Sequence, residues 1–249
     1  MSQIYLGDCL EIMPKRIQDK SVDLILCDLP YGTTQNKWDS VIPLEDLWSE
    51  YKRIIKDDGC IVLTSDGIFT GVLMLSNRDW FKYKLIWNKV NTTGFLNANI
   101  MPLRQHEDIL IFARSKTKYN PIKVRRGKPR KKGGYTGGNK GTYGKHKESV
   151  KINNEYYPTS IIEVSNSRQK NKIHPTQKPV ELFEYLIKTY SNKGDLILDN
   201  CAGSGTTAIA CLNTERDYIL IEKEKNYFNM INKRIESWNF QGSKNLFNQ

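Results

Sequence analysis

Residues 195–207 read DLILDNCAGSGTT, an apolar run that ends at Asp199 and continues into a glycine-rich turn. The apolar run is typical of a short buried strand, and a helix is predicted after Gly205. Glycines at such a turn let the backbone approach a ligand closely, although Gly203-Ser-Gly205 alone is more simply explained as a structural turn. The stretch therefore predicts a strand–turn–helix unit with a candidate ligand site at the carboxyl end of the strand.

Further apolar runs alternate with helical patterns along the rest of the chain. Because such alternation favours a parallel sheet covered on both faces, we predict an α/β fold with a mostly parallel, doubly wound sheet. Ligands of these sheets bind beyond the carboxyl ends of the strands, where Asp28, Asp199 and Glu222 are expected. The predicted strands are 22–27, 60–64 (after a turn at Asp58-Gly59), 84–87, 108–112, 195–198 and 218–221, and the predicted helices are 43–56, 66–76, 179–190, the segment after Gly205 and about 225–238.

Two features around the glycine-rich turn indicate a nucleoside ligand. Glu222 ends the next predicted strand, 23 residues after Asp199, where a carboxylate can accept hydrogen bonds from ribose hydroxyls. Thr206 and Thr207 offer hydroxyls at the start of the following helix, and no lysine occupies the position that a phosphate-binding loop requires. These features argue against a nucleoside triphosphate and for a ligand with an uncharged ribose, such as S-adenosylmethionine.

The segment 174–179, His-Pro-Thr-Gln-Lys-Pro, directly precedes a predicted helix with proline in its first turn. A lysine beside a helix N-terminus suits the carboxylate of a ligand, and Lys178 is the candidate. A simple helix-entry turn explains the segment equally well.

A second apolar run ends at Asp28-Leu-Pro-Tyr31 and predicts a catalytic site for an exocyclic amino group. Such nitrogens are poor nucleophiles because their lone pair conjugates with the ring, so a site must polarise them with hydrogen-bond acceptors. Asp28 offers a carboxylate and Leu29 a carbonyl, whose direction Pro30 restricts. Tyr31 can stack on a base that has left the duplex. The alternative is a strand end followed by a proline turn.

The net charge of +11 comes from one segment of the chain. Residues 114–147 contain 13 Lys/Arg and no Asp/Glu, whereas the rest of the chain has 25 basic against 27 acidic residues. Either the segment is a solvated basic loop, or it follows nucleic-acid phosphates and orders on binding. The candidate contacts, which could read guanines or only grip phosphates, are Arg125, Arg126, Lys128, Arg130, Lys131 and Lys132.

Composition limits the other function classes. Five cysteines without a Cys-x-x-Cys spacing disfavour a zinc site or a disulfide framework, and three scattered histidines disfavour a metal centre. No apolar run approaches the roughly 18 residues of a membrane span, and residues 1–5 do not have the character of a signal peptide. We therefore expect a cytoplasmic protein that needs no metal and no membrane.

The motifs resemble those of amino-methylating DNA methyltransferases. Residues 28–31 resemble the D-P-P-Y motif, residues 199–207 the D-P-F-x-G-S-G-T-T motif, residues 174–179 the H-P-T-Q-K-P element, and residues 7–9 the early G-D-C. The order of catalytic motif, basic region and cofactor motif is that of the β group, and the resemblance covers residues 4–238. It implies a Rossmann-like methyltransferase fold with an inserted basic recognition region, and S-adenosylmethionine as the cofactor.

The resemblance also implies roles for the matching residues. Residues 28–31 would hold the target base, Glu222 would bind the ribose, and Asp8 would lie near the adenine end of the cofactor. Residues 1–113 would form the catalytic half of the domain, 114–172 the target-recognition insertion and 173–249 the cofactor-binding half. The implied cofactor-binding residues are Asp8, Cys9, Lys178, Asp199, Gly203, Gly205, Thr206, Thr207 and Glu222.

Two positions depart from the family pattern. Leu29 replaces the first proline of the catalytic motif, although its carbonyl remains. Asn200-Cys201 replaces Pro-Phe in the cofactor motif, which removes an aromatic wall and predicts weaker cofactor binding. The pair His106-Glu107 matches a recurring family pair, and we expect it to serve packing.

The resemblance favours adenine N6 as the target because Asp is the family's usual first catalytic residue for adenine. Cytosine N4, an RNA methyltransferase and a catalytically weak DNA-binding member are the alternatives. Double-stranded DNA is the expected partner, and a homodimer is one option because dimers are frequent in the β group. We expect any restriction activity to come from a separate nuclease, since 249 residues leave no room for a nuclease domain beside this fold.

Overall fold

The computed structural model describes residues 2–32, 41–132, 151–167 and 177–246. The chain divides into two compact units, the first made of residues 1–120 and 160–249 and the second of residues 121–159. The strands of the first unit are β1 Gln3–Leu6, β2 Val22–Cys27, β3 Ile55–Ser65, β4 Phe81–Thr93, β5 Arg104–Phe112, β8 Ile161–Glu163, β9 Leu196–Asp199 and β10 Asp217–Glu222, and those of the second are β6 Val124–Lys132 and β7 Lys151–Tyr156. The helices are α1 Cys9–Arg16, α2 Leu44–Ile54, α3 Gly67–Ser76, α4 Val180–Tyr190, α5 Thr206–Thr214 and α6 Lys225–Leu246.

The strands of the first unit form one sheet in the order β1-β10-β9-β2-β3-β5-β4-β8. Every neighbouring pair is parallel except the two that involve β5, which runs against both β3 and β4. The predicted α/β class with a mostly parallel sheet is confirmed. Because β2, β9 and β10 run in one direction, Asp28, Asp199 and Glu222 lie at the same edge of the sheet, as predicted.

The strand β2 lies in the middle of the sheet, and all six of its residues are buried. Successive side chains of a strand point to opposite faces. Leu24 and Leu26 accordingly enter one core with α4, whereas Ile25 and Cys27 enter the other core with α2. A strand buried on both faces needs a nearly continuous apolar run, which explains why VDLILC lacks the alternation of a half-buried strand.

The turn predicted at Asp58-Gly59 is wrong, because these residues lie inside β3. The strand β2 pairs with β3 on both sides of an irregularity. Val22 lies opposite Ile55, and Leu24 lies opposite Cys60. The extra residues of β3 therefore form a bulge within a continuing strand. Asp and Gly are also typical turn residues, so the sequence of this bulge is the same as that of a turn.

Among the strands and α-helices of the first unit, β1, α1 and β8 have no counterpart in the prediction. The strand β1 lies at the end of the sheet beside β10, and none of its four residues is buried. Such a strand does not need a long apolar run, which is the signal from which the other strands are predicted. At the other end of the chain, α6 continues past its predicted end near residue 238 to Leu246. In the part of the chain that the structure describes, no helix is long and apolar enough to cross a membrane.

The second unit contains an antiparallel ribbon of β6 and β7. Val124 lies opposite Tyr156 and Lys132 lies opposite Lys151, with a register shift between Arg125 and Arg130. Both strands carry mainly polar and basic residues, so composition alone favours a loop over a strand. Residues 133–150 of the basic segment lie outside the described residues.

Candidate active site

A cavity of about 610 Å³ opens in the first unit beyond the carboxyl ends of β2, β9 and β10. Ligand pockets for small molecules fall in the range of roughly 300–1,000 Å³. The wall joins the catalytic motif to the glycine-rich turn, which are far apart in the sequence. The predicted residues found in this wall are Asp8, Cys9, Asp28, Leu29, Pro30, Tyr31, Lys178, Asp199, Gly203, Thr206, Thr207 and Glu222.

The carboxylate of Asp28 is held by three neighbours. Its Oδ2 accepts a hydrogen bond from Lys178 Nζ at 2.8 Å. Its Oδ1 accepts from the hydroxyl of Tyr31 at 2.9 Å and from the hydroxyl of Thr64. Hydrogen bonds to a charged group are stronger than neutral ones. The carboxylate is therefore oriented by the protein itself, in the wall of a cavity large enough for a ligand.

Tyr31 lies between Asp28 and Phe69. Burial, and next the negative charge of Asp28, raise the pKa of Tyr31 well above its usual value, so the phenol stays neutral and donates. The centroid of its ring lies 5.3 Å from that of Phe69. Lys178 Nζ lies 5.6 Å from the Tyr31 ring centroid on the cavity side of the motif. The ring of Tyr31 therefore already has one aromatic neighbour, Phe69. Its stacking on a base stays a prediction.

The glycine-rich turn is organised by Asp199. Its Oδ1 accepts a hydrogen bond from the Cys201 amide at 3.1 Å, and its Oδ2 accepts from the hydroxyl of Thr207. Only 3% of Asp199 is exposed, and burial raises the pKa of its carboxyl to about 6. The polar groups of Asp199 and Thr207 thus hold the turn in shape, and the direct contact with a cofactor that the family resemblance implies for them stays a prediction.

Glu222 faces the same turn from the end of β10. Its Oε2 accepts from the Gly203 amide at 2.7 Å, and its Oε1 accepts from the Glu224 amide at 2.8 Å. Gly203 has a φ of +51°, a conformation that favours glycine. A carboxylate oxygen accepts more than one hydrogen bond, so Glu222 keeps acceptor capacity toward the cavity. Burial raises the pKa of this carboxyl.

Gly205 and Asp8 have mainly structural contacts. Gly205 lies outside the cavity wall with a φ of +76°, and a Cβ there would come within 3.1 Å of Ile231. Asp8 caps α1 by accepting from the Leu10 amide at 2.9 Å, and its other oxygen lies 3.0 Å from Lys223 Nζ. The geometry accounts for both residues without a ligand, and their predicted contacts with the cofactor stay predictions.

The departure at Asn200-Cys201 is built into the packing of the site. Asn200 is buried and accepts a hydrogen bond from the hydroxyl of Tyr51. The side-chain amide of Asn200 donates to Cys201 Sγ at 3.5 Å. Cys201 lies in the cavity wall where the family motif has phenylalanine. These contacts replace the aromatic wall with a smaller, polar surface.

Three polar residues of the site carry no predicted role. Thr64, on β3, holds Asp28. Glu107, on β5, lies with its Oε1 3.2 Å from Lys89 Nζ and its Oε2 3.1 Å from Lys178 Nζ, in the cavity wall. The expectation that the pair with His106 serves packing stays a prediction, although Glu107 pairs with two lysines in the cavity wall. The family pair is the one sequence signal for it, and Lys89 and Thr64 have none.

The candidate nucleic-acid contacts lie in the second unit. The side chain of Arg125 is 79% exposed, and its guanidinium lies 3.4 Å from Glu155 Oε1. Residues 174–176 of the predicted helix-entry segment lie outside the described residues. So do the side chains of the remaining candidates, Arg126, Lys128, Arg130, Lys131 and Lys132.

Comparison with known proteins identifies the family. A DNA methylase family model matches residues 22–233. The chain is 29% identical over 245 residues to the Type II methyltransferase M.HpaI of Haemophilus parainfluenzae, covering 90% of this chain and 71% of that protein. It is 28% identical over 275 residues to the Type II methyltransferase M.HinfI of Haemophilus influenzae, covering 94% and 68%.

Solved structures agree with this result. The crystal structure of the M1.HpyAVI–SAM complex superposes with a TM-score of 0.66 at 27% identity, covering 94% of this chain and 99% of that chain. The cytosine-N4-specific PvuII DNA methyltransferase superposes with a TM-score of 0.66 at 16% identity, covering 92% and 84%, a likeness of fold. The chain therefore belongs to the N6/N4 DNA methylase family.

Proposed function

We propose that this chain transfers a methyl group from S-adenosylmethionine to the exocyclic N6 of an adenine that has left the DNA duplex. One observation carries the proposal: the oriented carboxylate of Asp28 and the turn formed by Gly203 and Glu222 share one cavity. An amino group held at Asp28 and a nucleoside cofactor held at Glu222 would meet inside it. The base must leave the stack because its amino nitrogen is not accessible within a duplex.

The residues of the cavity fit the cofactor. Gly203, with its positive φ, keeps the wall free of a side chain, and Glu222 keeps acceptor capacity for ribose hydroxyls. S-adenosylmethionine supplies a methyl group on a positively charged sulfur when it is bound. The M1.HpyAVI relative, 27% identical over most of both chains, is described as a complex with this cofactor.

The protein's part in the reaction is to hold and polarise the amino group. Asp28 and the carbonyl of Leu29 would each accept one amino hydrogen, which returns electron density to the nitrogen and aims its lone pair at the methyl group. As the new N–C bond forms and the S–C bond breaks, the nitrogen becomes positively charged. The adjacent carboxylate would stabilise that charge, and the surplus proton would then leave through Asp28 or to solvent.

Adenine is favoured over cytosine because Asp28 is the first residue of the catalytic motif. The aspartate form of this motif resembles that of adenine-modifying members, whereas cytosine N4 members more often begin with serine. Cytosine N4 is the second candidate, because the PvuII enzyme, which is cytosine-N4-specific, shares the fold. Neither the cavity volume nor its lining separates the two bases, since both present an amino group beside a ring nitrogen.

The remaining assignments follow from the charge distribution and from the relatives. We assign target recognition to residues 114–172, whose basic part would contact phosphates before any base is read. Both curated relatives are Type II methyltransferases, which supports a role in a restriction–modification system. A homodimer, a separate nuclease and a cytoplasmic location stay predictions.

Nucleoside analysis tests the proposal. The native chain is incubated with unmethylated genomic DNA and methyl-labelled S-adenosylmethionine, and the DNA is digested to nucleosides and weighed. N6-methyladenine is the expected product, and N4-methylcytosine would overturn the adenine assignment. Competition between duplex DNA and structured RNA tests the polymer, and cofactor binding without transfer to either would indicate a DNA-binding member without activity.

A further inference from the structure

Four charges of alternating sign form a chain along one wall of the cavity. Asp28 Oδ2 lies 2.8 Å from Lys178 Nζ. The same Nζ lies 3.1 Å from Glu107 Oε2, and Glu107 Oε1 lies 3.2 Å from Lys89 Nζ. These residues come from four different parts of the first unit, and two of them, Glu107 and Lys89, have no predicted role in the proposed reaction.

The four side chains are shielded to different degrees. Lys89, Lys178 and Glu107 are 7%, 10% and 15% exposed, whereas Asp28 is 27% exposed. Burial alone would lower the pKa of Lys178, but the negative charges of Asp28 and Glu107 raise it well above its usual value. Lys178 therefore carries a positive charge that needs a carboxylate beside it wherever it lies.

Both oxygens of Asp28 have protein donors, and Oδ1, which already accepts two hydrogen bonds, has no acceptor site left. Oδ2 is bound by Lys178, and Oδ1 is bound by Tyr31 and Thr64. The proposed reaction requires Asp28 to accept a hydrogen from the amino group of the base. The amino hydrogen must therefore be received at Oδ2, and Lys178 is the partner whose departure leaves that oxygen to the base.

Glu107 offers the departing lysine a second acceptor. Its Oε2 is buried and, within the residues described by the structure, has no hydrogen-bond partner, although Lys178 Nζ lies only 3.1 Å away. A buried carboxylate oxygen without a hydrogen bond is costly, by roughly 1–3 kcal/mol or more for a charged group. The other oxygen, Oε1, is held in place by Lys89.

We propose that Glu107 is a positioning residue that receives the ammonium group of Lys178 when the amino group of the target base takes over Asp28 Oδ2. The inference rests on the proposed function and adds a residue to it. Lys178 moves between two carboxylates that already lie within 3.1 Å of its nitrogen, so its charge stays paired throughout. Lys89 orients Glu107 for this exchange.

A double-mutant cycle tests the exchange. Glu107→Gln keeps the shape of the side chain but removes its charge, so Lys178 stays on Asp28. We expect kcat for methylation of genomic DNA to fall about tenfold, in line with the loss of one hydrogen bond to a charged group, while KM for S-adenosylmethionine changes less than about twofold. In a Lys178→Met background, which has no ammonium group to move, Glu107→Gln is expected to have little further effect on kcat.

A neighbouring carboxylate provides the matched control. Asp108, the next residue on β5, is also paired with a lysine, Lys84, at 3.0 Å, and it lies outside the cavity wall. Asp108→Asn is therefore expected to leave kcat unchanged in the folded protein. Thermal unfolding of every variant separates a loss of fold from a loss of rate. Should Glu107→Gln fail to fold, Glu107→Asp, which keeps the charge and withdraws the oxygen, is expected to lower kcat by a smaller factor.

Three results would overturn the inference. One is an equal loss from Glu107→Gln in the native and Lys178→Met backgrounds, which would indicate a role independent of the lysine. Another is a raised KM for S-adenosylmethionine with kcat unchanged, which would assign Lys178 to the cofactor carboxylate. The third is an undiminished kcat in both folded Glu107 variants. Absence of methyl transfer by the native chain would instead contradict the proposed function.

Discussion

Asp23 and Asp28 lie at opposite ends of β2, and each binds a lysine, yet only one of them borders a cavity. Asp23 is 2% exposed, lies 2.7 Å from Lys56 Nζ and 2.6 Å from Lys118 Nζ, and accepts from the Leu196 amide. Asp28 binds Lys178 at a similar distance, but in the wall of the cavity.

The difference between the two aspartates teaches where function arises in this fold. At the amino end of β2, lysine pairing satisfies a buried charge and ties β2 to β3 and β9. At the carboxyl end, the carboxylate of Asp28 is also paired with a lysine, but it lies in the wall of the cavity, where a ligand would replace the lysine in the proposed exchange. An ion pair alone is therefore no sign of a catalytic residue, and Asp28 is the candidate because it lies at the edge of the sheet where ligands bind.

The largest effect on stability is expected from Asp23→Ala. The variant leaves Lys56 and the Leu196 amide without their acceptor and removes one of the two carboxylates that hold Lys118. We expect a loss of about 3 kcal/mol in the free energy of unfolding, the lower end of the range for a broken buried pair because both lysines are partly exposed. Urea unfolding measures it. Methyl transfer per folded molecule should not change, and a selective loss of rate in the folded protein would contradict the division between the two ends.

The pH dependence of stability sharpens the same comparison at a third aspartate. Lysine hydrogen bonds outweigh burial at Asp23 and lower its pKa, whereas burial raises the pKa of Asp199 from 3.8 to about 6. Asp23 therefore contributes stability that is present above its unfolded pKa and is lost as pH falls through its lower folded pKa. Asp199 contributes stability that is present below 3.8 and is lost as pH rises through about 6.

Urea unfolding of the native chain and of Asp199→Asn between pH 4 and pH 7 measures the contribution of Asp199. The stability of the native chain relative to the variant should decline as pH rises, by at most about 1.4 kcal/mol per pH unit for one proton. A matched Asp23→Asn series should show the opposite slope below about pH 4, near the usual pKa of Asp. Two slopes of the same sign would show that the lysine partners of Asp23 do not distinguish the two carboxylates.

A smaller effect is expected from Thr64→Val. The substitution keeps the shape of the side chain and removes the hydroxyl that donates to Asp28 Oδ1, while Tyr31 still holds that oxygen. We expect kcat to fall roughly five- to tenfold, equivalent to about 1 kcal/mol for one hydrogen bond. Steady-state methylation of genomic DNA measures it. Thr70→Val, which removes a hydroxyl that donates to Asp108 rather than to Asp28, is the matched control. Equal losses of kcat in both variants would show that the hydrogen bond from Thr64 to Asp28 has no particular part in the reaction.

Much of the fold could be predicted because its strands are short apolar runs followed by polar residues. VDLILC and DLIL carry the signal of strands buried on both faces, and their ends place Asp28 and Asp199 at one edge of the sheet. The edge strand β1 and the polar ribbon of β6 and β7 lack that signal because they bury few side chains. The bulge in β3 could not be predicted because Asp-Gly is also a typical turn sequence, and the local sequence does not show that the strand continues on both sides of it.

The part of the site that the motifs do not contain depends on pairing between distant strands. Glu107 comes beside Lys89 because β5 returns antiparallel to β4, with Trp87 opposite Glu107. Lys178 reaches Asp28 across 150 residues of sequence. Local sequence patterns carry no information about such contacts. The family resemblance implies that Lys178 binds the cofactor, and the structure places its ammonium group between the carboxylates of Asp28 and Glu107.

The most direct test of the account is methyl transfer by the native chain and by Asp28→Ala, with Asp23→Ala alongside. Labelled S-adenosylmethionine and unmethylated DNA are supplied, and label in the DNA is counted per folded molecule. The account predicts transfer by the native chain and by Asp23→Ala, and a loss on the order of 10²–10³ for Asp28→Ala, the size seen when a preorganised stabilising group is removed. Undiminished transfer by folded Asp28→Ala would contradict it.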